Sequence, residues 1–335
     1  MKIHIIYQLK CRLIKAFKRI KLIHILIILF FSFVCWKILD FLINILADFL
    51  WFQELNYLPV LINKLQTETW LWITTFLISM GFFLVNLRLA SFFKYSKKQV
   101  RITEISEETM LVPPVTIPSS KLRIEASLSL GWLLCCIFGL ILLVGLILTH
   151  YIDVFTNYLY PDLTVANVSP QIPSEFNIES ICKILTSILS NLWLLGLFLL
   201  LSFAIIINPI LWLSVFAVVL SLVFSFILSS HWANILQLLH GTPFNKSEDL
   251  FHIDISFYVF QLPVLELLRF WLIGLFLYGF VACILIYLLS GKSLSQGNFY
   301  QFSQQQEKHL HGLGGGFILT IAFSYFIACF ELLYS

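Results

Sequence analysis

Charge is what this sequence has least of. Only 12% of its 335 residues are Asp, Glu, Lys or Arg, against about 25% in an average soluble chain. Too few polar side chains remain to cover a water-soluble globule of this size. Cysteine is present but badly placed for a disulfide framework. Cys35, Cys135, Cys136, Cys283 and Cys329 fall inside apolar runs, Cys11 lies among basic residues, and Cys182 alone approaches the opposite face. No Cys-x-x-Cys pair occurs, so zinc and thioredoxin-like sites have no support. No Ser-His-Asp order or nucleophile elbow can be read, and no cofactor motif is found. These gaps weigh against an enzyme.

Apolar residues fill the space instead: 59% of the chain is hydrophobic, and the mean hydropathy is +0.92. They gather into seven runs near the roughly 20 residues needed to cross a bilayer core. The runs lie at about Leu22–Ile45, Trp70–Ala90, Leu128–Thr149, Ile184–Ile207, Ile210–Ser229, Val264–Leu289 and Gly314–Leu333. Barrel strands would show alternating segments of about ten residues. Runs of this length must be helices, which alone satisfy their own backbone in lipid. The expected fold is all-α, a polytopic transmembrane helix bundle of about seven spans. Runs four and five meet at Asn208-Pro209, where proline removes a helical donor. A tight helical hairpin and one kinked helix both fit that junction.

Basic residues orient the bundle through the positive-inside rule. Lys2, Lys10, Arg12, Lys15, Lys18, Arg19 and Lys21 precede the first run, and Arg88, Lys94, Lys97, Lys98, Arg101, Lys121 and Arg123 surround the loop after the second. Lys292 and Lys308 precede the last run, whereas acidic residues such as Asp153, Asp162, Glu175, Glu248 and Asp249 fall on the other side. The N-terminus is therefore expected in the cytoplasm and the C-terminus outside. The first run is too long for a secretory signal and no small-residue cleavage site comes after it, so it reads as an uncleaved anchor. Residues 1–21 form a basic cytoplasmic N-terminus, 22–90 the first two spans with an outer amphipathic segment at 48–69, and 91–127 a cytoplasmic loop. Residues 128–229 hold three spans with an outer loop at 150–183, 230–263 an outer interfacial segment, and 264–335 the last two spans.

Several polar residues inside or beside the spans are candidates for function. Lys37, Asp40, Asn44 and Asp48 recur at spacings of three and four, which puts them on one stripe of the first helix. Intramembrane charges mark pathways or paired contacts, although Lys37 and Asp40 also sit where snorkelling towards the outer interface is easy. Glu266 and Arg269 form a similar pair at the start of the sixth span. His150, His231, His240 and His252 fall near the outer face with Asp153, Asp249 and Asp254, a metal-ligand mixture. They lack the i, i+4 spacing of a helical metal site, so solvated or headgroup-level histidines are favoured over a metal. His309 and His311 precede Gly312, Gly314, Gly315 and Gly316, a cluster without the lysine and hydroxyl of a phosphate loop. Close helix packing or a flexible start to the seventh span explains it better.

Two outer segments are amphipathic. FLWFQELNY at Phe49–Tyr57 carries Trp51 and Tyr57, the belt residues expected at headgroup level. The second runs from His240 through GTPF into DISFYVFQLP at Asp254–Pro263, bounded by Pro243 and Pro263, with Asp254 placed to cap the short amphipathic stretch after it. It reads as an ordered interfacial or re-entrant element. Asp254 is expected to be capped or paired, with Phe257 or Tyr258 turned to lipid or the bundle.

At these residues the chain resembles the uncharacterised protein family 0182 of large bacterial membrane proteins. The matching pieces are DFLWFQELNY at Asp48–Tyr57, Leu65–Thr67, Asn86-Leu87, GTPF at Gly241–Phe244, DISFYVFQLP, and ELLYS at Glu331–Ser335. Asn56 stands where the family motif usually has glycine, which puts a tight turn there in question. The stretch from about Lys94 to Leu228 looks divergent or inserted. The resemblance implies further spans and a large extracytoplasmic region after ELLYS, so the chain looks like an N-terminal membrane portion of something longer. It implies no activity, substrate or catalytic residue.

The expected partners are the lipid bilayer of the bacterial plasma membrane and other membrane or extracytoplasmic proteins, with no nucleic acid. A membrane anchor or assembly module is favoured. The alternative is a component of a transporter or channel, with Lys37, Asp40, Glu266, Arg269 and Glu331 lining a path, although no internal repeat of the kind transporters carry is found. The topology is testable on the native cysteines. A membrane-impermeant thiol reagent added to intact cells should label Cys182 and spare Cys11 until the membrane is disrupted; labelling of Cys11 in intact cells would reverse the orientation.

Overall fold

A computed structural model of the chain describes residues 31–32, 35–36, 39–40, 42–94, 128–159, 173–174, 176, 178–289, 298–299 and 302–333. Lys37 lies outside them, as does most of the first expected span. The described residues fall into two compact units, one ending at Gln66 and the other beginning at Thr67. In the first unit residues 42–54 are helical (α1), and Asp40 is exposed. The helix stops at Asn56, which adopts φ 59°. Tyr57 N–H donates to Phe52 O at 2.9 Å and Asn56 N–H to Gln53 O at 3.1 Å, the paired bonds of a Schellman turn. Asparagine tolerates the left-handed conformation, so the tight turn forms without glycine.

Helix α2 (Leu58–Phe93) begins directly after that turn, well ahead of the expected Trp70. Its first residues therefore convert the second half of the 48–69 segment into helix. The next elements are α3 (Leu130–Leu159), α4 (Ile178–Ser190), α5 (Leu192–Ile207), α6 (Pro209–Ser230), α7 (Trp232–Leu239), α8 (Leu262–Leu288) and α9 (Gln304–Glu331). A two-residue antiparallel pair, β1 (Leu128–Ser129) with β2 (Asn298–Phe299), ties the start of α3 to the approach to α9. Among the described residues five stretches are long and apolar enough to cross a membrane: Leu58–Phe93, Gly131–Leu159, Pro209–Ser230, Phe257–Leu288 and Gln304–Glu331. The expected fourth span is not one straight helix. Glu179–Ser190 and Leu192–Ile207 meet at a bend of 102°. Asn191, with φ −107° and ψ 107°, leaves the helical region between them.

The Asn208-Pro209 junction is a reversal. Gly145 of α3 lies beside Phe198 of α5, while Tyr151 of α3 packs on Phe224 of α6 at 4.9 Å. Gly145 and Tyr151 are about 9 Å apart along a helix, whereas Phe198 and Phe224 on one continuous helix would be about 39 Å apart. The chain must double back between them. Asn208 caps the turn by accepting from Leu211 N–H at 3.4 Å, and Pro209 occupies the first helical turn, where a missing donor costs nothing.

Helix α8 forms the centre of the second unit. Tyr278, Cys283 and Ile286 on it are fully buried, and α2, α3, α6 and α9 lie around it. Neighbours α8 and α9 run in opposite directions: Arg269 near the start of α8 meets Glu331 at the end of α9, and Tyr287 near its end meets His309 near the start of α9. The outer surface stays apolar, with Trp193 91% and Leu192 86% exposed. The glycine cluster lies inside α9 rather than before it, because Ser303 and Gln306 close a capping box that starts the helix at Gln304. Gly314 and Gly316 approach Phe280 and Phe276 of α8, while Gly312 and Gly315 face open space. Close packing thus accounts for two of the four.

The tightest approach to α8 from α3 and α6 is at Gly274, where an added Cβ would stand 2.5 Å from the Tyr151 hydroxyl oxygen and 2.6 Å from Phe224. Gly274→Val should overpack this junction, costing about 1–3 kcal/mol. The check is a lowered thermal unfolding midpoint in detergent, with Gly315→Val as the control that leaves it unchanged.

Candidate functional site

Between α7 and α8 the chain builds an ordered cap. Lys246 to Ile255 forms a small hairpin: Ile255 N–H donates to Lys246 O at 2.9 Å and Glu248 N–H to Ile253 O at 2.9 Å. Two left-handed residues, Asn245 and His252, each at φ 56°, turn its ends. The Asp254 carboxylate joins the pieces. Its Oδ1 accepts from Ser256 N–H at 2.8 Å and from Phe244 N–H at 3.2 Å. One side chain therefore ties GTPF to DISFYVFQLP. Phe244 and Phe260 reinforce the link with rings 5.6 Å apart, and Gly241 leaves room where a Cβ would stand 2.8 Å from Phe260.

Glu248 plays the same part within the hairpin, accepting from Leu250 N–H at 2.5 Å, Phe251 N–H at 2.8 Å and the Tyr258 hydroxyl at 3.3 Å. Partial desolvation pushes the Glu248 carboxyl up, but these donors and nearby His252 outweigh it and hold it below its ordinary value. The Ser256 backbone and side chain, with the Phe244 and Asn245 backbone adding less, hold Asp254 below the usual carboxylate range. Phe257–Gln261 is a wide helical turn in which Leu262 N–H reaches back to Phe257 O. This turn runs on through Pro263 into α8, so Pro263 does not bound the segment. A first-turn proline needs no donor, and the wider turn relaxes its fit. Tyr258 turns into the bundle, buried with Leu262, Ile327 and Phe330.

Beneath the cap Arg269 donates to Glu331 at 2.6 Å, with side chains 8% and 35% exposed. The partner of Arg269 across the helix interface is thus 62 positions away in sequence, contributed by the ELLYS motif. Glu266 lies one turn earlier on α8. Phe330, next to Glu331, packs on Phe251 and Phe257, both at 5.2 Å. Three of the motifs that carry the resemblance therefore meet at one end of α8.

A second polar junction stands at the other end. His309 Nε2 lies 3.0 Å from Asn86 Oδ1 and its Nδ1 lies 2.7 Å from the Tyr287 hydroxyl, joining α2, α8 and α9. Gln306 Nε2 donates to Phe93 O at 3.0 Å nearby. The motif Asn86-Leu87 held the signal for this contact, though His309 as its partner was not legible. Two of the histidines expected near the outer face depart from the solvated expectation. His150 is buried against Phe176 with Nε2 3.2 Å from Ser174 O, and His231 is buried between Ile227 O and Tyr158. Both rings are amphipathic enough to fill a core when a carbonyl or hydroxyl meets the nitrogen. Among the described residues no three His, Cys, Asp or Glu side chains converge for a metal.

The cap and the helices beneath it define an all-α bundle of apolar helices. The chain belongs to the Uncharacterised protein family (UPF0182), whose model matches residues 23–335. A UPF0182 protein of Trichodesmium erythraeum is 97% identical over 335 residues, covering 100% of this chain and 33% of that protein. One from Nostoc sp. is 40% identical over 313 residues, 90% of this chain and 31% of the relative. One from Microcystis aeruginosa is 32% identical over 291 residues, 87% and 29% respectively. The chain spans about a third of the length of these curated relatives. No solved structure matches it significantly.

The lowered carboxyls of Asp254 and Glu248 give the cap a signed pH dependence. Groups held below their unfolded values stabilise above those values, about 3.9 for Asp and 4.3 for Glu, and lose that contribution as pH falls through the folded ones. Amide exchange at Phe244, Ser256, Leu250 and Phe251, corrected for intrinsic rates, should accelerate below about pH 4. Asp254→Ala should accelerate Phe244, Asn245 and Ser256 but not Leu250 or Phe251 at neutral pH; unchanged exchange at the first three would remove Asp254 as the link.

Proposed function

We propose that this chain is a non-enzymatic membrane anchor and assembly module of the bacterial plasma membrane, with its N-terminus in the cytoplasm and its cap outside. The observation that carries this reading is the convergence of GTPF, DISFYVFQLP and ELLYS on one ordered cap at the end of an apolar bundle. A rigid surface held by carboxylate-to-backbone bonds suits docking, because little ordering entropy remains to be lost on association. Phe244, Leu250 and Phe251 stay exposed on it. In the proposed orientation this cap faces extracytoplasmic partners, and the remaining two-thirds of a full-length relative are the first to test.

The second reading, a component of a transporter or channel, draws on the ion pair between α8 and α9. Co-expression of this chain with the rest of the Trichodesmium erythraeum relative as a separate polypeptide distinguishes them. Assembly predicts co-purification that Asp254→Ala weakens and Glu331→Gln leaves in place. Solute flux abolished by Glu331→Gln, with co-purification absent throughout, would overturn the assembly reading.

A further inference from the structure

Helix α4 has two unlike faces. Ile184 and Ile188 are buried against Leu146 of α3, while its outward side carries Cys182, exposed Leu189 and a set of five others, Glu179, Lys183, Thr186, Ser187 and Ser190. That set is polar and runs the length of the helix, which no lipid-facing stretch of a span tolerates at such density. At Asn191 the axis turns by 102°, and α5 starts with Leu192 and Trp193 almost fully exposed. Polar α4 and apolar α5 therefore meet different solvents.

The lengths agree with this division. Sixteen residues of α5 rise about 24 Å, short of the roughly 30 Å hydrocarbon core, so α5 must begin a few ångströms below the headgroups. Asp153 is exposed on α3 and marks polar surroundings about 10 Å along that helix from Leu146. The contact of α4 with Leu146 thus falls at the depth where amphipathic helices rest, about 5–10 Å into the headgroup boundary. Trp193 at the corner is the residue type that anchors at that level.

We infer that α4 lies in the plane of the outer membrane interface, apolar face on α3 and polar face in the phospholipid headgroup layer, so that α5 alone provides the fourth crossing. This rests on the membrane reading above. Lys183 would meet headgroup phosphate and the hydroxyls their water. A membrane thinned locally around a short span is the mechanical consequence.

The test uses the full chain in nanodiscs of equal phosphatidylcholine and phosphatidylglycerol. Spin labels go on Cys182, Thr186→Cys, Ser190→Cys and Phe203→Cys, each as the single cysteine. The in-plane helix predicts one shallow depth for the first three, relaxed by a water-soluble nickel reagent, and a deep, oxygen-relaxed label at 203. A continuous span predicts that 182 and 190 differ by about 12 Å, which would overturn the inference, as would protection of the first three from both relaxants. A label at 203 open to the nickel reagent would instead remove the membrane reading itself. If the cysteine replacements unfold the protein, the native chain still tests the placement: protection of Cys182 from an impermeant maleimide would overturn it.

Discussion

The bundle is organised around α8, a helix whose residues beyond Arg269 are apolar on nearly every side. Such a helix has no face to offer to water, and none of its residues is exposed. Its polar groups then set the register, because apolar contact between helices distinguishes poorly among their relative positions in an apolar solvent. Three find partners on neighbours: Trp271 donates to Ser79 of α2 at 2.8 Å, Tyr278 to Leu213 O of α6 at 2.5 Å, and Arg269 to Glu331 of α9 at 2.6 Å. The surrounding helices are located along α8 by a handful of hydrogen bonds. The closely packed rings of Tyr151, Phe224 and Phe270 around Gly274 then hold the distances.

The two ends of α8 are finished differently. At its start the chain leaves the helix through a wide turn and folds into a hairpin stitched by Asp254 and Glu248, so backbone donors that no helix can satisfy meet carboxylates. At its end a histidine, an asparagine and a tyrosine join three helices side chain to side chain. The first arrangement makes a surface and the second a clamp.

Much of this was legible in the residues. The all-α class, the spacing of the apolar runs, the ordered nature of the 240–263 segment and the capping role of Asp254 all come from hydropathy and turn chemistry. Those signals are local, and local physics produces them. The bend at Asn191 was not legible, because α4 and α5 together read as one run of sufficient hydropathy. The polar stripe of α4 recurs at helical spacing, but that its opposite face packs on Leu146 of α3 follows only from the tertiary structure. Likewise His150 and His231 carry nothing in their sequence neighbourhoods to say that Ser174 O and Tyr158 wait for them in the core.

By itself the sequence determined which solvent each stretch prefers and placed both ends of α6 and α8 within two residues, since these depend on composition over one or two turns. It also carried the family through DISFYVF and GTPF. Only the tertiary structure decided which polar groups meet, because partners such as Arg269 and Glu331 or Asn86 and His309 are separated by whole helices and are joined by packing geometry. Charge pairing across the bundle is a property of the assembled helices, and no periodicity within one of them encodes it.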